Sequence, residues 1–454
     1  MMKMVATSVS GAVISGGPPL RTQGGVLPTV ILGAGILGLS TAYHLALAAN
    51  ESSSVGHSRH GGDVNIVVAD PASAICSGAS GQCEGALGLF GFPKEITPLA
   101  ELSYRLYARL AEEKDGRRQF GYSPMILHAI FSGKYDPANP RLPFPVKRQE
   151  DLSDLPCWLK VQSSWAAGLM GDESVAARVD PLRFCSFLHE ECTKLGVRFL
   201  LNSEPVRVHR ADDESVGGLS AIEIEMHSPD ESVRVPCRNL VISAGSWSAK
   251  VFSSLFPSAK VEIHMADQQN VQNWLRFSKP LASSDEASDL GACQQVWLSP
   301  LGDNVDLHMS SFEDGDLYAA GAIEQGNMES LPPLPDLVLP SPEEVEKLKG
   351  LVSQYVELGP EGQGRELVGS GRAYMPGTSH GKPIMTKVPW NILFPDSEEG
   401  LQDKDPDGGV FMNFGHDLDG FTLGLGSGKV MAELILGRQP SVNLSPFGLP
   451  GLKA

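Results

Sequence analysis

Residues 29–49 constrain the fold of this chain more than any other stretch. A short apolar run at 30–32 breaks into Gly33-x-Gly35-x-x-Gly38, and a helical pattern follows at once. In this order of strand, glycine-rich turn and helix, the fingerprint indicates dinucleotide binding. Gly33 permits the tight turn, Gly35 lets a pyrophosphate approach the backbone, and Gly38 lets helix and strand pack closely. We therefore predict a nucleotide-binding unit; the alternative is a glycine-rich turn in another α/β fold.

The composition indicates a globular chain of more than one domain. At 454 residues it is too long for one small core, so two domains are expected. The net charge of -18, from 36 basic and 54 acidic residues, argues against a nucleic-acid partner or an anionic membrane surface. Seven scattered cysteines do not form the pattern of a disulfide framework, which favours a reducing compartment.

No segment has the composition of a membrane span, because even the apolar stretch 29–49 carries hydroxyl groups, a histidine and glycines. Residues 1–27 lack the pattern of a secretory signal and are predicted to be a flexible tail. We therefore predict a cytoplasmic protein, with a mitochondrial presequence as the alternative. His57 and His60 lie in a polar insert that is predicted to be a solvated loop, so no metal site is expected.

An acid ends the second predicted strand. Residues 65–70 form an apolar run that ends in Asp70. A carboxylate at that position can hydrogen-bond ribose hydroxyls, and it disfavours a cofactor with a ribose phosphate. The polar insert makes the spacing from the glycines longer than the usual ~20 residues, which a loop between helix and strand tolerates at small entropic cost.

Further strand ends carry small residues that let a ligand approach the backbone. The turn 76–85 follows the second strand, and its N–H groups are placed to hold another part of the same cofactor, unless it is an ordinary surface loop. The apolar strand 239–243 is followed by Ala244-Gly245-Ser-Trp247. Ligands of open α/β sheets bind at such carboxyl ends.

The chain is predicted to return to this first domain after residue 360. A strand is predicted over 409–416, followed by a glycine-rich turn at 420–428 and a last helix over 429–437. The N-terminus of that helix would suit a group that becomes anionic. Residues 256–360 alternate short β-like runs with acidic and proline-rich loops, and a helix is predicted over 341–358. This pattern indicates a separate, more antiparallel domain.

Taken in order, five features resemble the FAD-dependent D-amino-acid oxidase superfamily, which includes glycine and sarcosine oxidases. The similarity is strongest to its fungal-type members and covers roughly residues 28–445. The features are the motif Gly33-x-Gly35-x-x-Gly38, the loop 77–81, the helix start Asp180-Pro181, the turn Ala244-Gly245-Ser-Trp247, and Gly415-His416 with the later Gly428-Lys429.

The resemblance implies an α/β fold of the glutathione-reductase-like type. A Rossmann-like FAD-binding domain would carry a substrate domain with a mixed, largely antiparallel β-sheet that roofs the flavin. Residues 28–100, 172–255 and 361–445 are assigned to the FAD-binding domain. Residues 101–171 and 256–360 are assigned to the substrate, or cap, domain.

The resemblance also implies which residues contact FAD. The positions that match the family's cofactor site are Gly33, Gly35, Ile36, Leu37 and Gly38 at the pyrophosphate; Asp70 at the ribose; Ser77, Ala79 and Ser80 along the cofactor; Val206, through its backbone, near the adenine; Ala244, Gly245 and Trp247 beside the dinucleotide; and Gly415, His416, Gly420 and Phe421 near the flavin ring.

Departures from the family bear on the chemistry. Members with covalent flavin carry a Cys on the strand that leads to Pro376, but this chain has Arg372-Ala-Tyr-Met375 there, so non-covalent FAD is predicted. Amino-acid oxidases place a carboxylate-binding Arg where Met375 stands. The substrate therefore lacks a free α-carboxylate, or Arg365 or Arg372 holds it instead. Glu84 is an unusual acid beside a flavin, with three interpretations: a base, an amine anchor or a solvent-facing side chain.

The candidate catalytic residues are His416, Glu84 and Arg372. His416 is interpreted as an acid, a base or a flavin hydrogen-bonding group, with a structural histidine as the alternative. Four other residues of the substrate domain are predicted to serve packing or the surface rather than catalysis, because no constellation singles them out. They are His264, Trp297, His308 and Tyr318.

The leading hypothesis is an FAD-dependent oxidoreductase. It would oxidise a C–N bond of an amine or amino-acid-like small molecule by hydride transfer to flavin N5, with dioxygen as the electron acceptor. One alternative is a dehydrogenase with another acceptor. A tailoring oxidase of fungal secondary metabolism, or a binding or assembly factor that has lost catalysis, would also account for the missing arginine at Met375.

Overall fold

The computed structural model describes residues 27–55, 65–132, 147–149, 152–163, 165–211, 218–227, 231–266, 268–280, 293–299, 307–327, 331–359, 364–395 and 407–450. The pair His57 and His60 and nearly all of the predicted tail lie outside these residues. In the part of the chain described, no helix is long and apolar enough to cross a membrane. The same residues hold no group of three or more His, Cys, Asp or Glu side chains suited to a metal ion.

The helices are listed here with the bounds that the structure gives them: α1 (Ile36–Val55), α2 (Thr97–Glu113), α3 (Gly116–Phe120), α4 (Pro181–Lys194), α5 (Ser248–Leu255), α6 (Pro342–Val352), α7 (Trp390–Leu393) and α8 (Gly420–Ile435).

The strands, in the same order, are β1 (Thr29–Leu32), β2 (Ile66–Asp70), β3 (Ala86–Gly88), β4 (Ser123–Ser132), β5 (Lys147–Gln149), β6 (Trp165–Gly171), β7 (Ala176–Arg178), β8 (Arg198–Leu201), β9 (Ser203–Arg210), β10 (Leu219–Met226), β11 (Ser232–Pro236), β12 (Asn239–Ile242), β13 (Gln268–Phe277), β14 (Cys293–Ser299), β15 (Leu307–Ser311), β16 (Leu317–Asn327), β17 (Leu367–Met375), β18 (Ile384–Val388) and β19 (Gly409–Phe414).

A six-stranded sheet forms the nucleotide-binding half of the molecule. Its order is β18-β19-β12-β1-β2-β8, and all neighbours are parallel except β18 and β19. Helices α1, α2, α4 and α8 cover one face, while the antiparallel sheet β9–β11 and helix α5 cover the other. This arrangement confirms the predicted Rossmann-like domain, and it brings the carboxyl ends of β1, β2, β12 and β19 to one edge.

A ten-stranded sheet forms the other half. Its main path is β17-β13-β16-β15-β14-β4-β6-β5, and β7 joins it at β4 and pairs with β3. Along this path only β14 and β4 run parallel. Helix α6 packs on this sheet with buried Leu348 and Val352. The prediction of a mixed, largely antiparallel second sheet is confirmed.

The start of the last helix was predicted wrongly. Helix α8 begins at Gly420, whereas a turn was expected over 420–428. The glycines lie inside the helix because they permit close packing: a Cβ at Gly424 would come within 2.8 Å of Ile36, and one at Gly428 would overlap Ser40. Tight contact with α1 and α2 outweighs the low helix propensity of glycine here.

The observed packing also differs from the predicted domain boundaries at residues 101 and 361. Helix α2 packs on α8, since its apolar face, including Leu99 and Tyr107, is buried in the core of the six-stranded sheet. Strand β17 belongs to the ten-stranded sheet, where it pairs with β13. Residues 101–113 of α2 are assigned to the cap in the sequence-based prediction, and β17 is assigned to the FAD-binding domain.

Other local predictions hold more closely. Helix α4 begins at Pro181, and the N-capping Asp180 accepts a hydrogen bond from the Arg183 N–H at 3.0 Å. Gly196 follows its end with a φ of +93°. Helix α6 starts after Ser341, as predicted, but ends at Val352 rather than near residue 358.

Candidate active site

A large cavity lies between the carboxyl edge of the six-stranded sheet and the ten-stranded sheet. It encloses about 1610 Å³, counting the part open to solvent. Gly33, Asp70 and Ala244, which follow or end β1, β2 and β12, line one side. Tyr374 and Met375, at the end of β17, line another. We call this space the central cavity.

The glycine-rich turn presents backbone to the central cavity. Gly33 has a φ of +114°, and a side chain there would overlap the Ser243 carbonyl. A side chain at Gly38 would overlap the Gly33 carbonyl, so α1 packs directly on the turn. The N–H of Ile36, at the start of α1, donates to Ser80 Oγ at 3.0 Å. The helix start therefore lines the cavity with its N–H groups and positive dipole end, an arrangement that binds phosphate.

Asp70 is fixed at the end of β2. Its Oδ2 accepts from the Ala34 N–H at 2.7 Å and its Oδ1 from the Ala72 N–H at 2.9 Å. Burial raises the pKa of the Asp70 carboxyl, and the two backbone hydrogen bonds oppose that shift. The acid stands beside the glycine-rich turn on the cavity wall, which is where a ribose acid belongs.

A proline-rich segment, 331–340, runs along the nucleotide end of the cavity. The Trp247 indole N–H donates to the Pro332 carbonyl at 2.8 Å. Asp336 accepts from both the backbone N–H and the hydroxyl of Ser73, each at 2.9 Å. Two prolines of the segment line the cavity. Sequence analysis treated this stretch only as a loop of the second domain, because nothing local in it signals the contacts with Trp247 and Ser73.

Most of the predicted cofactor residues meet in the central cavity. Those lining it are Gly33, Gly35, Ile36, Leu37, Asp70, Ser77, Ala79, Ser80, Ala244, Gly245, Trp247, His416, Gly420 and Phe421. Gly38 lies behind the turn, and Gly415 is buried outside the lining with a φ of +85°. Val206 is 43% exposed, and its neighbours Glu204 and Pro205 line the cavity in its place.

These features fit FAD. The phosphate-binding turn and Asp70 stand at one end, and the N-terminus of α8 reaches the cavity with Gly420 and Phe421 at the other. A cavity lined by the glycine-rich turn, by Asp70 and by a second helix N-terminus suits a dinucleotide. Backbone groups would make most of the contacts with FAD. Binding of the cofactor therefore does not depend on a precise set of side chains.

His416 is a neutral, buried imidazole. Its Nε2 lies 2.8 Å from the Ser427 hydroxyl within α8. Burial lowers the pKa of His416 to about 3. The ring lines the cavity, and its lowered pKa favours the neutral imidazole, with a single N–H, at the pH of ordinary catalysis. This geometry favours the structural interpretation over that of a general acid.

Glu84 reaches from the cavity wall to the ten-stranded sheet. Its Oε1 accepts from the Gln295 side chain at 2.6 Å, and its Oε2 accepts from the Ser310 hydroxyl at 3.2 Å. The His308 Nε2 lies 3.8 Å from Oε2. The Glu84 side chain is only 16% exposed. The unusual acid is therefore not solvent-facing: side chains of β14 and β15 hold it at the second wall of the cavity.

Aromatic side chains extend this polar network. The Trp274 indole N–H donates to the Gln82 side-chain oxygen at 2.8 Å, and the Tyr318 hydroxyl donates to the Gln82 carbonyl at 3.1 Å. Tyr318 stacks on Trp274 and on His308, with ring centroids 5.7 and 6.4 Å apart. His308 and Tyr318, which were predicted to serve packing or the surface, thus lie beside the loop that carries Glu84.

Arg178 supports Glu84 from behind and was not recognised as a site residue. Its side chain is fully buried, at 1% exposure. The guanidinium donates to the Glu84 carbonyl at 2.7 Å, to the Ser310 hydroxyl at 2.8 Å and to the Ser311 carbonyl at 2.7 Å. It also lies 3.5 Å from the ring centroid of Phe312. In the sequence, Arg178 is only the first residue of the run Arg178-Val-Asp180-Pro181 that opens α4.

Neither arginine proposed for a carboxylate clamp lines the cavity. Arg372 forms an ion pair with Glu344 of α6 and donates to Asn273 Oδ1 at 3.3 Å. Arg365 donates to the carbonyls of Gly315 and Ser278 at 2.7 and 3.1 Å. Met375 does line the cavity. The structure therefore separates Arg372 from the other two catalytic candidates, Glu84 and His416.

Known proteins share the sequence pattern and the fold. A Schizosaccharomyces pombe protein named as an oxidoreductase is 25% identical over 239 residues, which are 50% of this chain and 56% of that protein. The chain thus spans little more than half the length of this curated relative. The crystal structure of glycine oxidase from Geobacillus kaustophilus matches with a TM-score of 0.66 and 17% identity, over 94% of this chain and 99% of that one.

The L-proline dehydrogenase from P. horikoshii matches with a TM-score of 0.63 and 13% identity, over 94% of this chain and 97% of that one. At such identities the two structures show a common fold. The profile of the DAO family, described as FAD dependent oxidoreductase, matches residues 29–434, which is most of the chain. The glycine-rich turn, Asp70 at the end of β2 and the shared fold agree with this match, and the chain belongs to the DAO family of FAD-dependent oxidoreductases.

Proposed function

We propose that this oxidoreductase oxidises a C–N bond of an amine or amino-acid-like small molecule and that dioxygen reoxidises its flavin. The observation that carries the proposal is the network around Glu84. The Glu84 carboxylate lines the same cavity as the glycine-rich turn, and hydrogen-bonding partners from β14 and β15 hold it there. A small polar substrate that enters this cavity would meet the Glu84 carboxylate. The amino-acid substrates named for the glycine oxidase and L-proline dehydrogenase structures agree with this class.

The protein's part in the reaction is to bind and orient. Bound FAD supplies the two-electron acceptor for a hydride from the carbon next to nitrogen. Glu84, kept in place by Gln295 and Ser310, is positioned to hold the nitrogen of the substrate and to accept the proton that a cationic nitrogen must lose before a hydride can leave the adjacent carbon. The stacked Trp274 and Tyr318 both donate hydrogen bonds to Gln82 and so fix the loop that carries Glu84. His416 stays neutral, so we assign it to the support of the α8 start rather than to proton transfer.

We also propose that the FAD is held without a covalent bond. Strand β17 contains no cysteine. Cys83 lines the cavity, but burial raises the pKa of its thiol, and its Sγ lies 3.6 Å from the Ser80 carbonyl. A neutral thiol is a poor nucleophile for flavin attachment. Acid precipitation of the holoenzyme should release all flavin into the supernatant, and flavin retained in the pellet would refute non-covalent binding.

Anaerobic mixing of the holoenzyme with a panel of secondary amines and D-amino acids tests the oxidation step. At least one compound should bleach the visible flavin bands, and admission of air should restore them. If no member of the panel bleaches the flavin, the proposed C–N oxidation is wrong.

A dehydrogenase with another acceptor is the second candidate, since the fold is also that of the L-proline dehydrogenase named above. Hydrogen peroxide yield separates the two. One peroxide formed for each substrate molecule consumed is the result expected for the oxidase. Bleached flavin that persists in air and reoxidises with an added quinone would establish the dehydrogenase.

A further inference from the structure

The charged side chains that line the central cavity indicate which class of substrate the site prefers. Resting on the proposed function, we infer that the preferred substrate is a cationic amine without a free carboxylate and that Glu84 anchors its ammonium group. This assigns a substrate class to the site. It also assigns to the Glu84 carboxylate a role in substrate specificity. The glycine-rich motif at residues 33–38 indicates the cofactor and carries no information about the substrate.

The described lining of the cavity is acidic. It contains Asp70, Glu84, Glu204 and Asp417, whereas Lys250 is the one Lys or Arg among the described residues that line it. Lys250 belongs to α5, which packs against β9 at the nucleotide end. At the Glu84 end the described lining therefore offers a carboxylate to a cation and no guanidinium or ammonium to a carboxylate.

Glu84 has room for a ligand in its hydrogen bonding. An ionised carboxylate has two oxygens with about four acceptor positions. Gln295 and Ser310 each donate one hydrogen bond to these oxygens. An ammonium carries only donors and would fill remaining positions with charge-assisted hydrogen bonds. The side chain is largely buried, so such a pair would be screened little by solvent.

The buried guanidinium of Arg178 suggests a rival role for Glu84, namely balance of that charge. The contacts of Arg178 argue for support instead. Its hydrogen bonds go to the backbone carbonyl of Glu84, to Ser310 and to Ser311, and not to the Glu84 carboxylate. Arg178 thus holds the backbone and a donor of Glu84, and it leaves the carboxylate directed to Gln295, to Ser310, to His308 at 3.8 Å and to the cavity.

Three small probes of similar shape test the inference on the holoenzyme under anaerobic conditions. They are N-methylisobutylamine, a cation; sarcosine, in which a carboxylate replaces the branched end; and isobutyl methyl ether, which is neutral. The apparent Kd comes from the concentration dependence of the flavin spectral change, whether that change is a perturbation or bleaching. We expect the amine to bind at least about tenfold more tightly than sarcosine, because a carboxylate meets no described cation at this wall.

Variants of Glu84, and of one acid outside the cavity, test whether the Glu84 carboxylate causes the preference for the amine. Glu84→Gln should weaken binding of the amine by about 10- to 100-fold and leave the ether unchanged, because only the charge-assisted hydrogen bond is lost. Glu84→Asp keeps the charge, guards against a folding failure of the first variant, and should weaken the amine by a smaller factor. Glu313→Gln removes an acid that pairs with Arg117 outside the cavity, and it should change neither affinity.

The outcomes are distinct from those of the proposed function. Sarcosine bound as tightly as the amine, or an amine-to-sarcosine ratio unchanged in both Glu84 variants, would overturn the inference. Sarcosine that bleaches the flavin in preference to the amine would overturn it while supporting C–N oxidation. A clear preference for the amine without bleaching by any amine would support the Glu84 anchor and overturn the proposed oxidation.

Discussion

The two walls of the central cavity differ in the groups that form them: backbone atoms at one wall and long side chains at the other. At the nucleotide wall, the contacts come from backbone: the turn at Gly33, the N–H groups that start α1, and the small residues after β12. At the opposite wall, long side chains from distant parts of the chain meet, with Glu84 bonded to Gln295 and Ser310. A cofactor shared by a whole family needs only the first kind of wall, and a particular substrate needs the second.

This difference predicts how each wall responds to change. Backbone sites fail when a side chain intrudes, whatever its chemistry, because the protein atoms there are closely packed. Side-chain sites fail when a charge or a donor is removed, and the failure is specific to one ligand. The following experiments are ordered from the largest expected effect to the smallest.

Gly38→Ala should have the largest effect. The new Cβ would overlap the Gly33 carbonyl, so α1 must move off the turn that we assign to the pyrophosphate. We expect loss of bound FAD together with a fall of about 3 kcal/mol in the free energy of unfolding. FAD content per chain and thermal unfolding of the purified protein measure the two effects.

Gly350→Ala is the matched control, since a Cβ there meets nothing within 4 Å in helix α6. It should leave FAD content unchanged and stabilise the protein by about 0.5–1 kcal/mol. Full FAD content in Gly38→Ala would show that the turn tolerates a side chain. It would contradict the statement that the nucleotide wall fails whenever a side chain intrudes.

Asp70→Asn should weaken FAD binding without unfolding the protein. The variant keeps a side-chain oxygen for the N–H groups of Ala34 or Ala72 but loses the charge that strengthens hydrogen bonds to ribose hydroxyls. We expect a Kd for FAD that is about 10- to 100-fold higher. Titration of the apoprotein with FAD, followed by flavin fluorescence, provides the measurement. Asp314 is a half-exposed acid between β15 and β16. The control variant Asp314→Asn should keep the wild-type Kd for FAD.

What could be predicted from the sequence follows the same division. The strand, the turn at Gly33 and the cap at Asp180 are set by neighbours in the chain, and the structure places them as expected. The start of α8 was missed because its glycines are explained by contacts with Ile36 and Ser40, far away in the sequence. The Glu84 network was missed for the same reason, since Gln295 lies 211 positions away from Glu84.

His416 should make the stability depend on pH. Its pKa is about 3 in the folded protein and 6.5 ordinarily, so between these values the unfolded chain binds a proton that the folded protein does not. Stability therefore falls as the pH decreases below about 6.5, with a slope from this residue of up to about 1.4 kcal/mol per pH unit. His44, whose pKa burial lowers to about 4, adds a similar slope.

The unfolding free energy measured at several pH values between 7.5 and 5 tests this assignment. His416→Gln should remove only its own share of the histidine-dependent slope, because His44, His189 and His380, whose pKa values burial also lowers, remain. An unchanged slope would mean that His416 is protonated in the folded protein. That result would make His416 a candidate for proton transfer again. It would also mean that the lining of the central cavity includes a histidine that titrates on the cofactor side.

Arg372→Gln should have the smallest effect, although Arg372 was a catalytic candidate. Its guanidinium pairs with Glu344 of α6 and with Asn273, and it does not line the central cavity. We expect a loss of about 1 kcal/mol of stability from a half-buried ion pair, with kcat/KM changed by less than about threefold. Glu344→Gln should reproduce the same loss of stability, because it breaks the same pair. A tenfold rise in KM for Arg372→Gln alone would contradict this assignment, since the carboxylate-free substrate class leaves Arg372 no ligand to hold.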